Sequence, residues 1–224
     1  MINRSYFVIL KIAFVLFSLV SCNGKKEIEH KLTLDPSYQE IKTIHSVADC
    51  TTPDGKNYTT EVISENDGSC LFIQEYKDDN VSFRAQITKE NKGFVLNVHD
   101  DIVDTLSVED IEIIRSHEFH KMHTNPSHFF SDIHFDNEID SEHDLYIAKD
   151  RLNNPARLLY NKNSKLIDEI VMLNPRDTTQ QIEIINKKFD VFGKDYGMLV
   201  KELSIVQGHK DTFQFAYKIV KIKE

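Results

Sequence analysis

From Asn57 to Val98 the chain follows one rule: polar and apolar residues alternate, and turn residues interrupt the alternation at short intervals. Tyr58, Thr60 and Val62 alternate with Asn57, Thr59 and Glu61. After Glu65-Asn66-Asp67-Gly68, the residues Cys70, Phe72, Gln74 and Tyr76 face one way. Lys77 to Asn80 turns the chain again, and Val81, Phe83, Ala85 and Ile87 alternate with Ser82, Arg84, Gln86 and Thr88. After Asn91-Lys92-Gly93 the residues Phe94, Leu96 and Val98 repeat the pattern. A period of two puts successive side chains on opposite faces of a strand. Such a run therefore predicts an antiparallel meander with one buried and one wet face.

The flanking sequence extends the sheet and interrupts it once. Asp35-Pro36 reads as a helix cap followed by proline in a brief first turn, and Thr43, Ile44 and Val47 predict a strand ending near Cys50. Ser107-Val108-Glu109-Asp110 reads as a helix start, and Ile111, Ile114, Glu118 and Phe119 keep helical spacing until Pro126, after which Ser127 to Phe130 reads as a second short helix. Asp132 to Asp144 is acidic and reads as a loop. Strands resume after Asp144, with Arg157 to Tyr160, Leu166 to Leu173, Gln181 to Phe192, Met198 to Gln207 and Thr212 to Ile222 read as strands. In the last of these, Phe213, Phe215, Tyr217 and Ile219 share a face. The expected fold is α+β, mostly β: a curved antiparallel sheet or half-barrel of roughly ten strands with a central helical insert.

The start of the chain speaks to location. Arg4 and Lys11 precede an apolar run from Ile12 to Val20, and Leu19-Val20-Ser21-Cys22 closes it. Basic head, short apolar core and small residues in that order make a secretory signal. The core falls short of the roughly 20 residues that span a bilayer. Leu-Val-Ser-Cys resembles the lipobox of bacterial lipoproteins, in which the cysteine is acylated and becomes the new first residue. The expected organisation is a signal peptide over 1–21, a lipidated tether over 22–34 and one domain over 35–224. Acyl chains on Cys22 then supply the membrane attachment, and Asn23 in place of aspartate points to the outer membrane.

Charge and chemistry narrow the partners. The whole chain carries −9, and the leader holds only cations, so the mature chain is more acidic still. An acidic body gains nothing from a phosphate backbone, which excludes nucleic acid as a partner. Cys50 and Cys70 fall at opposite ends of the predicted sheet, too far apart for a disulfide, and are expected to be free buried thiols. The ten histidines include a cluster running from His117 to His143. Three-residue spacing would let two of His117, His120 and His123 share a metal on one helix, which gives a metal-binding alternative. The same residues on a solvated face, satisfied by water and acids, are the ordinary outcome. His117-Glu118-Phe119-His120 is one residue short of the H-E-x-x-H of zinc proteases. There is no G-x-S-x-G, and seven glycines leave few places for a backbone to wrap a nucleotide. Neither an enzyme nor a cofactor is expected.

Pro53-Asp54-Gly55 to Val62, Pro155-Ala156-Arg157-Leu158-Leu159-Tyr160 and Phe213 to Ile222 carry a resemblance to the LolA/LolB-like lipoprotein carriers and receptors. The resemblance implies an incomplete barrel curving over short helices, with a gap that accepts acyl chains. In this chain Phe72, Phe83, Phe94, Phe215 and Tyr217 are the candidates to line that gap. Alternating aromatics equally serve to fill an ordinary core. The function expected from the resemblance is an outer-membrane lipoprotein that binds an apolar or lipid-like ligand. A structural partner in an envelope complex is the remaining class, with the protein partner unspecified.

Overall fold

Hydrogen bonding joins thirteen strands into one antiparallel sheet in the computed structural model, which describes residues 30–52, 54–76, 81–186, 202–207 and 211–223. A short helix α1 (Pro36–Gln39) leads into β1 (Thr43–Thr51), β2 (Asn57–Glu65), β3 (Cys70–Tyr76), β4 (Val81–Ile87), β5 (Gly93–Leu96) and β6 (Ile102–Thr105). Helices α2 (Val108–Arg115) and α3 (Phe119–Thr124) and a 3-10 turn (Pro126–His128) follow. The second half comprises β7 (Ser131–Glu138), β8 (His143–Lys149), β9 (Pro155–Asn161), β10 (Leu166–Asn174), β11 (Asp177–Asn186), β12 (Glu202–Gln207) and β13 (Asp211–Lys223).

The strand order explains the helices. The chain starts in the middle of the sheet at β1 and meanders outward to β6 at one edge. It then crosses to β7 at the other edge and meanders back until β13 pairs with β1. A flat sheet of this width, at roughly 4.8 Å per strand, would hold its edges roughly 60 Å apart. The two helices in the crossing rise only about 20 Å together. The sheet therefore curls around them. On one half, Ile111 and Ile114 of α2 pack with Val62, Cys70, Phe72, Ala85 and Ile87. On the other, Phe119 and Met122 of α3 pack with Leu158, Ile170, Met172 and Ile184.

Sequence expectation and structure agree on the inner meander and part at the edges. The alternating burial of β1 and β2 is the predicted period-two pattern. Thirteen strands replace roughly ten: β6 has no buried face to announce it, β7 shows only Ile133 and Phe135, half-buried against the core among charged neighbours, and β8, which is buried, follows directly on the acidic stretch. All four residues of β6 are exposed, and β7 spans Ser131–Glu138 within the stretch read as an acidic loop. Charged, solvated strands are a common way to end a sheet. Beyond Asn186 the strand expected to reach Phe192, and the start of the next at Met198, lie outside the described residues.

The helical insert is capped as expected but broken sooner. Ser107 Oγ accepts the backbone N–H of Asp110 at 3.1 Å, and the helix stops at Arg115 instead of continuing through Glu118. Arg115 Nη1 donates to Glu118 Oε2 at 2.7 Å across the break, and both side chains are almost wholly buried. The expected helix at Ser127 to Phe130 is the 3-10 turn at Pro126–His128.

Glycine sets how closely α2 approaches the sheet. A Cβ at Gly93 would lie 2.6 Å from Ile111 Cγ1 and 2.8 Å from Leu106 Cβ. Only a residue with no side chain fits there. Gly93→Ala is expected to cost about 1–3 kcal/mol by overpacking, read as a lower urea midpoint. Val98→Ala, at a residue 74% exposed, should leave the midpoint nearly unchanged. Equal midpoints for wild type and Gly93→Ala would contradict the close approach.

Candidate functional site

Where α2 lifts away from the sheet, a crevice of about 400 Å³ remains between them. Its sheet wall is Phe72 and Gln74 of β3, Phe83 of β4 and Val95 of β5. Its helical wall is Ile113 and Ile114 of α2, with Leu106 before the helix and His117 after it. Asp104, Thr105, Asp110 and Arg176 complete the lining. The volume falls in the usual range for small-molecule sites, and the mix of apolar walls with a few polar groups is the usual composition.

Local sequence places each wall. Opposite residues in the ladder share a face, so Gln74 opposite Phe83 and Ala85 opposite Val95 put these side chains on the concave side. The rings of Phe72 and Phe83 meet edge-on at 6.2 Å. The two-residue turn between β10 and β11 brings Arg176 from the far half of the sheet to the first turn of α2, where its guanidinium donates to Asp110 Oδ1. That hydrogen bond, with the Ser107 cap, holds the Asp110 carboxyl below its ordinary range.

His117 sits in the joint between α2 and α3. Its Nδ1–H donates to the carbonyl oxygen of Ile113 at 2.9 Å. Its ring centroid lies 5.0 Å from that of Phe72, 5.7 Å from Phe119 and 6.1 Å from Phe215. Burial lowers its pKa, so the ring is neutral near pH 7.

Of the five aromatic residues expected to line a gap, the structure brings two to the crevice. Phe72 and Phe83 are in its wall. Phe215 is core, 1% exposed and against the Phe119 ring at 5.0 Å. Phe94 is opposite Gln86, on the other face of β5 from Val95, which corrects the phase assigned to that strand. The cause is Gly93: α2 presses so close that the inward positions of β5 hold a glycine and a valine, and the bulky ring turns outward. Tyr217 stands opposite Ala48 in the β1–β13 register, and its side chain lies outside the described residues. So does Cys22.

Among the described residues, the histidine grouping of the metal-binding alternative does not form. The helix break separates His117 from α3. Buried His123 turns away, donating from Nδ1 to the Ile167 carbonyl of β10. His120 is buried in α3. His134 contacts the carbonyl of Asp132, and His143 bonds Asp140 and Asp168. Among the described residues no group of three or more histidine, cysteine or acidic side chains could hold a metal ion. The two cysteines are free and buried, as expected. Burial pushes the Cys50 thiol up to about 12 and the Cys70 thiol well above its ordinary value, which leaves both unreactive.

A buried polar cluster anchors the helices beside the crevice. Arg115 donates to the Gly68 carbonyl at 2.7 Å and to Asn91 Oδ1 at 3.1 Å, and Arg151 donates to the same Asn91 oxygen at 2.7 Å. Lys121 of α3 donates to the Glu65 carbonyl. These bonds tie α2 and α3 to the β2–β3 and β4–β5 turns.

The chain belongs by fold with one class of proteins already solved. A LolA superfamily protein from Nitrosomonas europaea matches over 84% of this chain and 91% of its own, at a TM-score of 0.58 and 12% identity. This chain therefore has the LolA-like fold. The MucA/MucB complex of Pseudomonas aeruginosa aligns over 82% of this chain and 90% of its own at 8% identity, but its TM-score of 0.23 is too low to bear on the fold. No protein-family model matches the sequence, and no curated protein matches it.

Burial of His123 makes a pH prediction. Its pKa falls from 6.5 to about 4 because the buried ring resists charge. The unfolded chain takes up a proton at this position below about 6.5, and the folded chain does so only near 4. Lowering the pH through that window therefore favours unfolding. The urea midpoint of wild type is expected to drop between pH 7 and pH 4.5, and to drop less in His123→Asn. An identical drop in both proteins would rule His123 out as a source.

Proposed function

We propose that this chain is an outer-membrane lipoprotein, attached through acylated Cys22, that holds an apolar or lipid-like ligand in the crevice under α2 and performs no chemistry on it. The crevice itself carries the reading: about 400 Å³ walled by Phe72, Phe83, Val95, Leu106, Ile113 and Ile114. The LolA-like fold supports it, because a half-barrel over short helices is the frame in which acyl chains are expected to lodge. Binding without catalysis is supported by how the polar groups are spent. The Asp110 carboxylate is engaged by Arg176, and His117 Nδ1 by a backbone carbonyl. No hydrogen bond joins His117 to Thr105 or to a carboxylate among the described residues, so no nucleophile there has a base beside it.

Ligand binding is tested by uptake of a fluorescent fatty acid and by mass spectrometry of lipid extracted from the purified protein. Wild type is expected to take up the fatty acid. Ile113→Phe, which fills the crevice from a half-buried position, is expected to bind at least about tenfold more weakly. No uptake by wild type and no copurifying lipid would remove the reading.

Attachment is tested separately by fractionation. The wild-type protein is expected in the outer-membrane fraction, and Cys22→Ser in the soluble or inner-membrane fraction as an uncleaved or unacylated chain. A wild-type protein whose mature mass carries no acyl groups would remove the lipoprotein assignment and leave ligand binding standing.

A further inference from the structure

Among the described residues, Nε2 of His117 in the crevice wall has no hydrogen-bond partner. His117 Nδ1 lies 2.9 Å from the Ile113 carbonyl oxygen, and a carbonyl only accepts, so the ring proton is on Nδ1. In the neutral ring Nε2 is then a bare lone pair, an acceptor with no hydrogen of its own. No described residue donates to it. It is also not sealed in: Nε2 of His123 and of His128 are buried without a partner, and Nε2 of His117 is not among such atoms. The ring is half-buried and lines the crevice. The surrounding Phe72, Phe119 and Phe215 rings fix the plane of the imidazole and keep the lone pair from turning elsewhere.

Of the other polar groups in the lining, Asp104 and Thr105 are exposed on β6 and stay in contact with water. Gln74 Nε2 donates to the Tyr76 hydroxyl at 2.9 Å. Asp110 and Arg176 bind one another. A purely hydrocarbon ligand filling the crevice would strip water from His117 Nε2 and give it nothing in return, which is the costly arrangement for a polar atom. A ligand with a donor placed there avoids that cost.

We propose that the crevice selects apolar ligands bearing a hydroxyl at or near the inserted end, which donates its hydrogen to Nε2 of His117. The inference rests on the apolar-ligand reading above and specifies the ligand class for the same site.

The test is calorimetric titration of the full chain with 1-decanol and with decyl methyl ether, which keeps the oxygen and lacks the donor. Wild type is expected to bind the alcohol about tenfold more tightly than the ether. His117→Phe, whose ring suits its aromatic neighbours, is expected to bind the two alike. Equal binding of both by wild type would overturn the hydroxyl preference and leave the crevice as an apolar site. An alcohol preference that survives in His117→Phe would overturn the assignment to this histidine. If wild type bound neither, the apolar-ligand reading would fall and this inference with it. The wild-type comparison decides the ligand class even if the variant does not fold.

Discussion

Everything in this fold depends on a short helical crossing that must be buried on two sides at once. The strand order puts β6 and β7 at opposite edges, and the only chain between them is α2, α3 and a 3-10 turn. Neither half of the sheet has a second layer of its own among the described residues. Each covers its apolar face with the same crossing, α2 on one half and α3 on the other, where Leu32, Leu34 and Tyr38 ahead of β1 add to the cover. The curl of the sheet thus follows from burial: a flatter sheet would leave one of the two clusters open to water, and the hydrophobic loss would scale with that area.

Polar contacts decide where along this crossing the chain may bend. The buried Arg115–Glu118 pair spans Ser116 and His117, and Arg115 is further fixed by Gly68 and Asn91. A buried pair of this kind adds little net stability over a hydrophobic substitute, but losing one partner strands a charge, so it specifies one geometry strongly. The geometry specified here is a helix break that turns His117 toward Phe72. On the near side of the break Gly93 lets α2 touch the sheet. On the far side Phe72 and Phe83 hold the helix off, and the crevice opens between these two conditions.

How much of this could be read from sequence followed from how strongly each segment is buried. β1 to β4 have one face in the core, so burial imprinted the alternation on Ile44 to Ile87 and the strands were legible. Burial imprints nothing on the solvated β6, and on β7 only Ile133 and Phe135 carry it, set among Asp132, Asp136 and Glu138 that read as a loop. On β5 size alone predicts the wrong inward face, because Phe94 and Leu96 are larger than Gly93 and Val95. There the helix lies so close that size is excluded inside, and a glycine beside a bulky ring was the signal of that contact. The crevice wall was legible only where aromatic side chains marked it. Ile113, Ile114, Val95 and Leu106 are ordinary core residue types, and Arg176 arrives from a turn distant in sequence. Likewise, nothing local distinguishes a histidine bound to its own helix carbonyl, as His117 is, from one on a solvated face.

The acidic edges also bear on why the barrel stays open. β6 carries Asp104 and is preceded by Asp100 and Asp101, while β7 carries Asp132, Asp136 and Glu138. Pairing the two edges would set like charges opposite one another across a ladder, which is unfavourable. On β7 part of this charge is already balanced from within its own half, by Lys149 on Asp132 and Lys162 on Glu138. On β6 the adjoining Asp100 is balanced by Arg84. Each edge thus has part of its charge balanced by its own neighbours, and the exposed Asp101, Asp104 and Asp136 remain to oppose closure. With the edges unpaired, the sheet is held in its curl by the helices it wraps, and the crevice beside His117 lies between α2 and β3 to β5.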